Sequence, residues 1–148
     1  MSTLKNILAG LGGAIALNVL HETMKKFRND TPRIDILGEE ALQKSIEYAG
    51  GNHIEKEKLY LPTLGADLVS NALYYSMIGA GNPKYIWPKA IALGLTAGTG
   101  AIALPEPMGL NPKPVAKNEN VSAMTVGYYL FGALVTAFIL ETANRAGK

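Results

Sequence analysis

The chain has 148 residues, of which 18% are charged and 48% apolar, so it is one domain's worth and less charged than the roughly 25% of an ordinary soluble domain. It has no cysteine, which excludes disulfides, thiolate metal sites and cysteine nucleophiles. The net charge is only +2 and no basic stripe carries interleaved aromatics, so nucleic acid is set aside as a partner.

Charge is strongly segregated. Residues 23–58 hold more than half of it, residues 88–110 carry only Lys89 and Glu106, and residues 121–140 carry none. This distribution predicts an all-α, integral membrane four-helix bundle, a single membrane domain over 1–148 with a polar insert at 23–60. The expected spans are about 3–22, 61–81, 85–104 and 121–143, of which only the fourth passes a strict hydropathy test alone. Two competing readings exist. The first span has the pattern of a signal peptide, with Lys5, an apolar stretch and "AIA" at 14–16. All four segments would also suit the core of a soluble bundle, although the third and fourth nearly lack a charged face.

In chain order, the first span carries Gly10 and Ala14 four residues apart, a spacing that lets helices approach closely in lipid. The insert follows, and "TPRIDILGEEALQKSIEYAGGN" predicts a short helix. Leu37, Ala41, Leu42, Ile46 and Ala49 give it near-helical spacing, Glu40 and Lys44 form an i, i+4 pair, and Gly50–Gly51 stops it. That helix is expected on the membrane surface or against the bundle, with a solvated loop helix as the alternative. The third span repeats the small-residue spacing at Gly94 and Gly98. It has Pro88 in its first turn and Pro105 and Pro107 beyond its end. Trp87, Tyr85 and Tyr60 suit interfacial belts, and "LPEPMGLNPKPVAKNEN" reads as a Pro-rich loop.

Four spans put the termini and the 82–84 turn on one side and residues 23–60 and 105–120 on the other, here called the loop side. The loop side has nine Lys and Arg residues against five, which predicts a cytoplasmic insert with both termini outside. Asn18, His21 and Glu22 then lie at the loop-side end of span one. Asp67 and Asn71, one helical turn apart on one face, lie at a similar depth in span two. Span four brings Ser122, Thr125, Tyr128 and Tyr129 to the same side.

Intramembrane ionisable groups are functional candidates by default, and histidine is the side chain whose charge ordinarily changes near neutral pH. Asn18, His21, Glu22, Asp67 and Asn71 are therefore the candidates for ligand binding or proton relay. The competing reading is structural: hydrogen bonds that hold one helix to another. Metal binding would need His21, Glu22 and Asp67 with His53 as a remote fourth ligand. No motif supports it, and "HETMK" lacks the second histidine of a zinc protease. On the other side, Lys89 and Glu141 are expected to form a structural interhelical ion pair.

No nucleophile elbow or phosphate loop is present, no catalytic residue is assigned, and no metal or cofactor is expected. Three functions remain in order. The first is a small membrane protein that binds or moves a proton, cation or small polar solute through the loop-side cluster. The second is an accessory or scaffold protein whose 23–60 insert docks a cytoplasmic protein, and the third is a membrane-embedded enzyme. The expected partners are the lipid bilayer and a second copy of the chain, most simply a dimer through the Gly-rich faces. The arrangement resembles small four-helix proteins of the bacterial inner membrane in general, and that membrane is the expected location.

Overall fold

The computed structural model describes residues 2–148. These residues form an all-helical protein with no strand among them: α1 Thr3–Phe27, α2 Ile34–Tyr48, α3 Lys56–Ser76, α4 Ile86–Ala103, α5 Lys113–Ala116 and α6 Glu119–Ala146. Short 3-10 turns at Met77–Gly79 and Pro83–Tyr85 join α3 to α4.

Local chemistry sets the ends. The Ser2 hydroxyl accepts from the Lys5 amide (3.2 Å), and the Asn118 side chain accepts from the Val121 amide (2.9 Å), so each of the two longest helices starts on a capped donor. Lys25 and Lys26 occupy the last turn of α1, where a cation complements the helix dipole. Gly50 ends the insert helix region with φ of +89°, a conformation that favours glycine.

The element boundaries differ from expectation in two places. α1 runs on to Phe27, past the expected end near residue 22, and carries Glu22 and Lys25 as helical residues. α3 starts at Lys56 and takes Pro62 into its second turn instead of beginning beside it.

Two helices, α1 and α6, are long and apolar enough to cross a membrane. The first of these was expected to fall short of such a test and does not. At ~1.5 Å per residue, the 21 residues of α3 and the 18 of α4 reach about 31 and 27 Å, close to the ~30 Å hydrocarbon core. They therefore have the length of a span but not the apolarity. α3 carries Lys56, Glu57, Lys58 and Asp67, and α4 is rich in Gly, Ala and Thr.

α1 packs on α3 and on α6, and α6 packs on α4. Small residues set these contacts. A β-carbon at Gly10 would collide with the Ala72 carbonyl of α3, and one at Gly13 with Gly132 and Thr136 of α6. One at Gly94 would lie 2.9 Å from the Leu130 Cα, and one at Gly98 2.6 Å from the Val126 Cα. The expected small-residue faces are thus used inside one chain, α1 on α3 and α4 on α6. Tyr75, fully buried, donates its hydroxyl from α3 to the Tyr129 carbonyl of α6 (2.8 Å).

α3 and α4 lie at the two ends of this series and make almost no direct contact. Their strongest link is the Tyr74 hydroxyl, which donates to the Leu93 carbonyl (2.7 Å). On the loop side, α2 lies against α3 and α5. The Pro-rich loop packs there too: the Arg33 amide donates to the Pro114 carbonyl (2.7 Å), and Thr125 donates to the Val115 carbonyl (2.8 Å).

Candidate functional site

α1 and α3 do face each other at the loop-side end. The Asn18 carboxamide donates to Asp67 Oδ2 across the α1–α3 contact (3.0 Å). Asn71, one turn along α3, donates to Asp67 Oδ1 (2.9 Å). Asn18 also donates to the Ala14 carbonyl one turn back, which fixes its orientation. Both Asp67 oxygens are therefore held by neutral amides, and no lysine or arginine pairs with this carboxylate.

The other candidates assemble one turn further along α1 around a residue that sequence reasoning missed. His21, 3% exposed, has Nε2 3.4 Å from Asp35 Oδ1 and Nδ1 3.4 Å from Glu22 Oε1. These are electrostatic contacts, since His21 Nε2 lacks a well-aligned hydrogen bond. Lys25 bridges Glu22 (3.0 Å) and Asp35 (3.2 Å), and Arg33 grips Asp35 with Nε (3.0 Å) and Nη2 (2.9 Å). Tyr60 from α3 donates to Glu22 Oε1 (3.2 Å). Burial pushes the Asp35 carboxyl up, but the His21 and Arg33 groups beside it outweigh burial and hold it well below the ordinary carboxylate range.

The two sets share one cavity of about 580 Å³. α1 and α3 supply Asn18, His21, Glu22, Asp67 and Asn71. α2 supplies Asp35, α4 supplies Thr96, Ala97 and Ala101, and α6 supplies Tyr129. The remaining wall is largely apolar and includes Leu17, Ile34, Leu37, Leu64, Leu104 and Met108. The cavity lies where α3 and α4 diverge.

Several expected members lie elsewhere. Thr125 is committed to the Val115 and Val121 carbonyls. Tyr128 packs edge-on to His21, with ring centroids 6.3 Å apart, and does not line the cavity. His53 sits on the surface against Glu47 (3.1 Å), so it is not a fourth ligand. Among the described residues no group of three histidine or carboxylate side chains is placed to hold a metal ion.

The expected Lys89–Glu141 pair is replaced by local partners. Glu141 accepts from Arg145, four residues on (2.7 Å), and from Trp87 Nε1 (2.9 Å). Lys89 instead donates to the Ala80 carbonyl at the end of the first 3-10 turn, an acceptor with no helical partner to meet it.

Asp35 was hard to find in sequence because an acid in the first turn of a helix already has a local use at the dipole's positive end. Only the docking of α2 turns it toward His21. Comparisons with protein families, with curated proteins and with solved structures give no match.

Proposed function

We propose that this protein is a four-span membrane protein that binds, and carries across the bilayer, a small polar solute or a cation at Asp67. The observation that carries the reading is the Asp67 carboxylate itself. Two helices give a carboxamide each to hold it at the wall of a large, mostly apolar cavity, and no lysine or arginine among the described residues pairs with it. A carboxylate at membrane depth is costly without a partner or a purpose.

The membrane part of the reading rests on where apolar and polar side chains lie. Leu4, Leu8, Ile15 and Val19 form an exposed stripe along α1, Val69 and Leu73 do so on α3, and Ile91 and Leu95 on α4. Phe131 and Phe138 are exposed on α6. The interior meanwhile holds Asn6, Asn71, Thr125 and Thr136. Lipid permits both the exposed apolar stripes and the polar groups placed between helices. Exposed Thr99 of α4 donates its hydroxyl back to the Leu95 carbonyl (2.7 Å), so that this donor is not left bare toward hydrocarbon.

The insert side is cytoplasmic in this reading. Lys25, Arg28, Arg33, Lys113 and Lys117 gather around one loop-side cleft of about 200 Å³, the concentration of cations that positive-inside orientation favours.

The test is flux through liposomes containing the full chain. Wild type moves protons, sodium or a small polar solute above empty liposomes, and Asp67→Asn abolishes the movement. Flux unchanged in Asp67→Asn, or none in wild type for any of these, overturns the reading. A single cysteine placed by Glu57→Cys in this cysteine-free chain reports the side. In intact cells it is shielded from a membrane-impermeant maleimide, and labelling there would reverse the orientation.

A further inference from the structure

From the same cavity, we infer that the ligand at Asp67 is an organic cation with a bulky apolar body. This inference rests on the proposed binding role of Asp67 and narrows its ligand class. Three observations point the same way.

The first is size. A proton or a bare metal ion needs a few ligand atoms, whereas about 580 Å³ falls within the ~300–1,000 Å³ of sites that enclose drug-sized molecules. The second is charge. The lining contains Asp67, Glu22 and Asp35 but no lysine or arginine. Lys25 and Arg33 compensate Glu22 and Asp35 from outside the lining, so Asp67 is the carboxylate left for the ligand's charge. Its amide clasp pairs it with no lysine or arginine among the described residues, and His21 acts on it only at longer range.

The third is the wall. Leu17, Leu64, Leu104 and Met108 offer an apolar body its counterpart, and the rings of Tyr74 and Tyr129 add faces that favour a desolvated cation. The short side chains of Ala97 and Ala101 leave room for such a body on the α4 side of the cavity. An inorganic cation would leave most of this wall unused. A neutral apolar ligand would leave a buried carboxylate uncompensated.

The experiment is equilibrium binding to the full chain in phosphatidylcholine nanodiscs, with empty nanodiscs as the blank. Tetraphenylphosphonium is the probe, and tetraphenylborate is its counterpart of like shape and opposite charge. The phosphonium is expected to bind saturably, the borate not to, and Asp67→Asn to weaken the phosphonium at least tenfold. Ala97→Phe, which leaves Asp67 untouched and fills the cavity, is expected to weaken it by a similar factor. That variant decides the matter if Asp67→Asn does not fold. Absent saturable phosphonium binding, equal binding of both ions, or a folded variant that binds as wild type each overturns the inference. Asp67-dependent proton or sodium flux without phosphonium binding overturns this inference alone and leaves the proposed function standing; loss of both removes both.

Discussion

Asp35 and Asp67 are the same residue type on the wall of one cavity, and their surroundings are opposite. Asp35 is met by Arg33 at two nitrogens, by Lys25 and by His21. Asp67 is met by two neutral carboxamides and paired with no lysine or arginine among the described residues, with His21 acting on it only at longer range. The first arrangement fixes α2 to α1 and leaves little charge over. The second holds a carboxylate in place without neutralising it. A protein that needed only an interhelical fastening between α1 and α3 could use the two asparagines alone, so the difference separates a structural acid from the acid proposed to bind a ligand.

Substituting the structural acid should do the most damage. Asp35→Ala takes from Arg33 its carboxylate and leaves Lys25 and His21 with Glu22 alone, and losing such hydrogen bonds to charged groups costs up to about 3 kcal/mol, reduced here by the exposure of Arg33. Melting followed through Trp87, the single tryptophan, should show it, and Arg33→Met added to Asp35→Ala should restore part of the loss. Recovery would mark the contact as a charge pair; no recovery would mean that Asp35 acts by shape.

Gly10→Leu probes the inner acid through packing. It forces α1 away from the Ala72 carbonyl, with overpacking typically worth about 2 kcal/mol, and separates Asn18 from Asp67. Stability and Asp67-dependent flux should fall together. Stability lost with flux intact would show that the clasp is dispensable.

Acid sharpens the comparison further. The folded carboxyl of Asp35 is depressed below its ordinary 3.8, so its contribution is fully present above that value and is lost as pH falls through the folded one. Melting temperature should show no Asp35 contribution to any change between pH 8 and 5 and should decline below about pH 4. Asp35→Asn should flatten that decline.

Smaller still is Asn71→Ala, which removes one arm of the clasp, an i, i+4 side-chain contact within α3 of a kind typically worth about 0.2–0.5 kcal/mol. Its expected signature is weaker ligand binding with nearly unchanged melting. Arg145→Ala, at the exposed Glu141 pair on the opposite side, should change neither measurement.

How much of this was legible follows from particular residues. Four long helices were readable because apolar runs, proline positions and glycine stops are local properties. Asn18, Asp67 and Asn71 could be placed at one depth because helix rise and chain reversal fix depth, and the structure brings those three together. Lys89 and Glu141 were also placed at one end, yet each found a nearer partner in Arg145, Trp87 and Ala80. Shared depth is therefore necessary for a contact and does not choose it.

The sequence by itself determined the helices, their approximate depth register and the small-residue faces on which they meet, since each depends on spacing along one helix. Only the tertiary structure decided which way each helix is rotated and where α2 docks. Rotation turned Asn18 onto Asp67, and docking brought Asp35 to Lys25 and His21. The sparse contact between α3 and α4 leaves room for the cavity, because helices held by glycine contacts to α1 and α6 are tied to each other by little more than the Tyr74–Leu93 hydrogen bond.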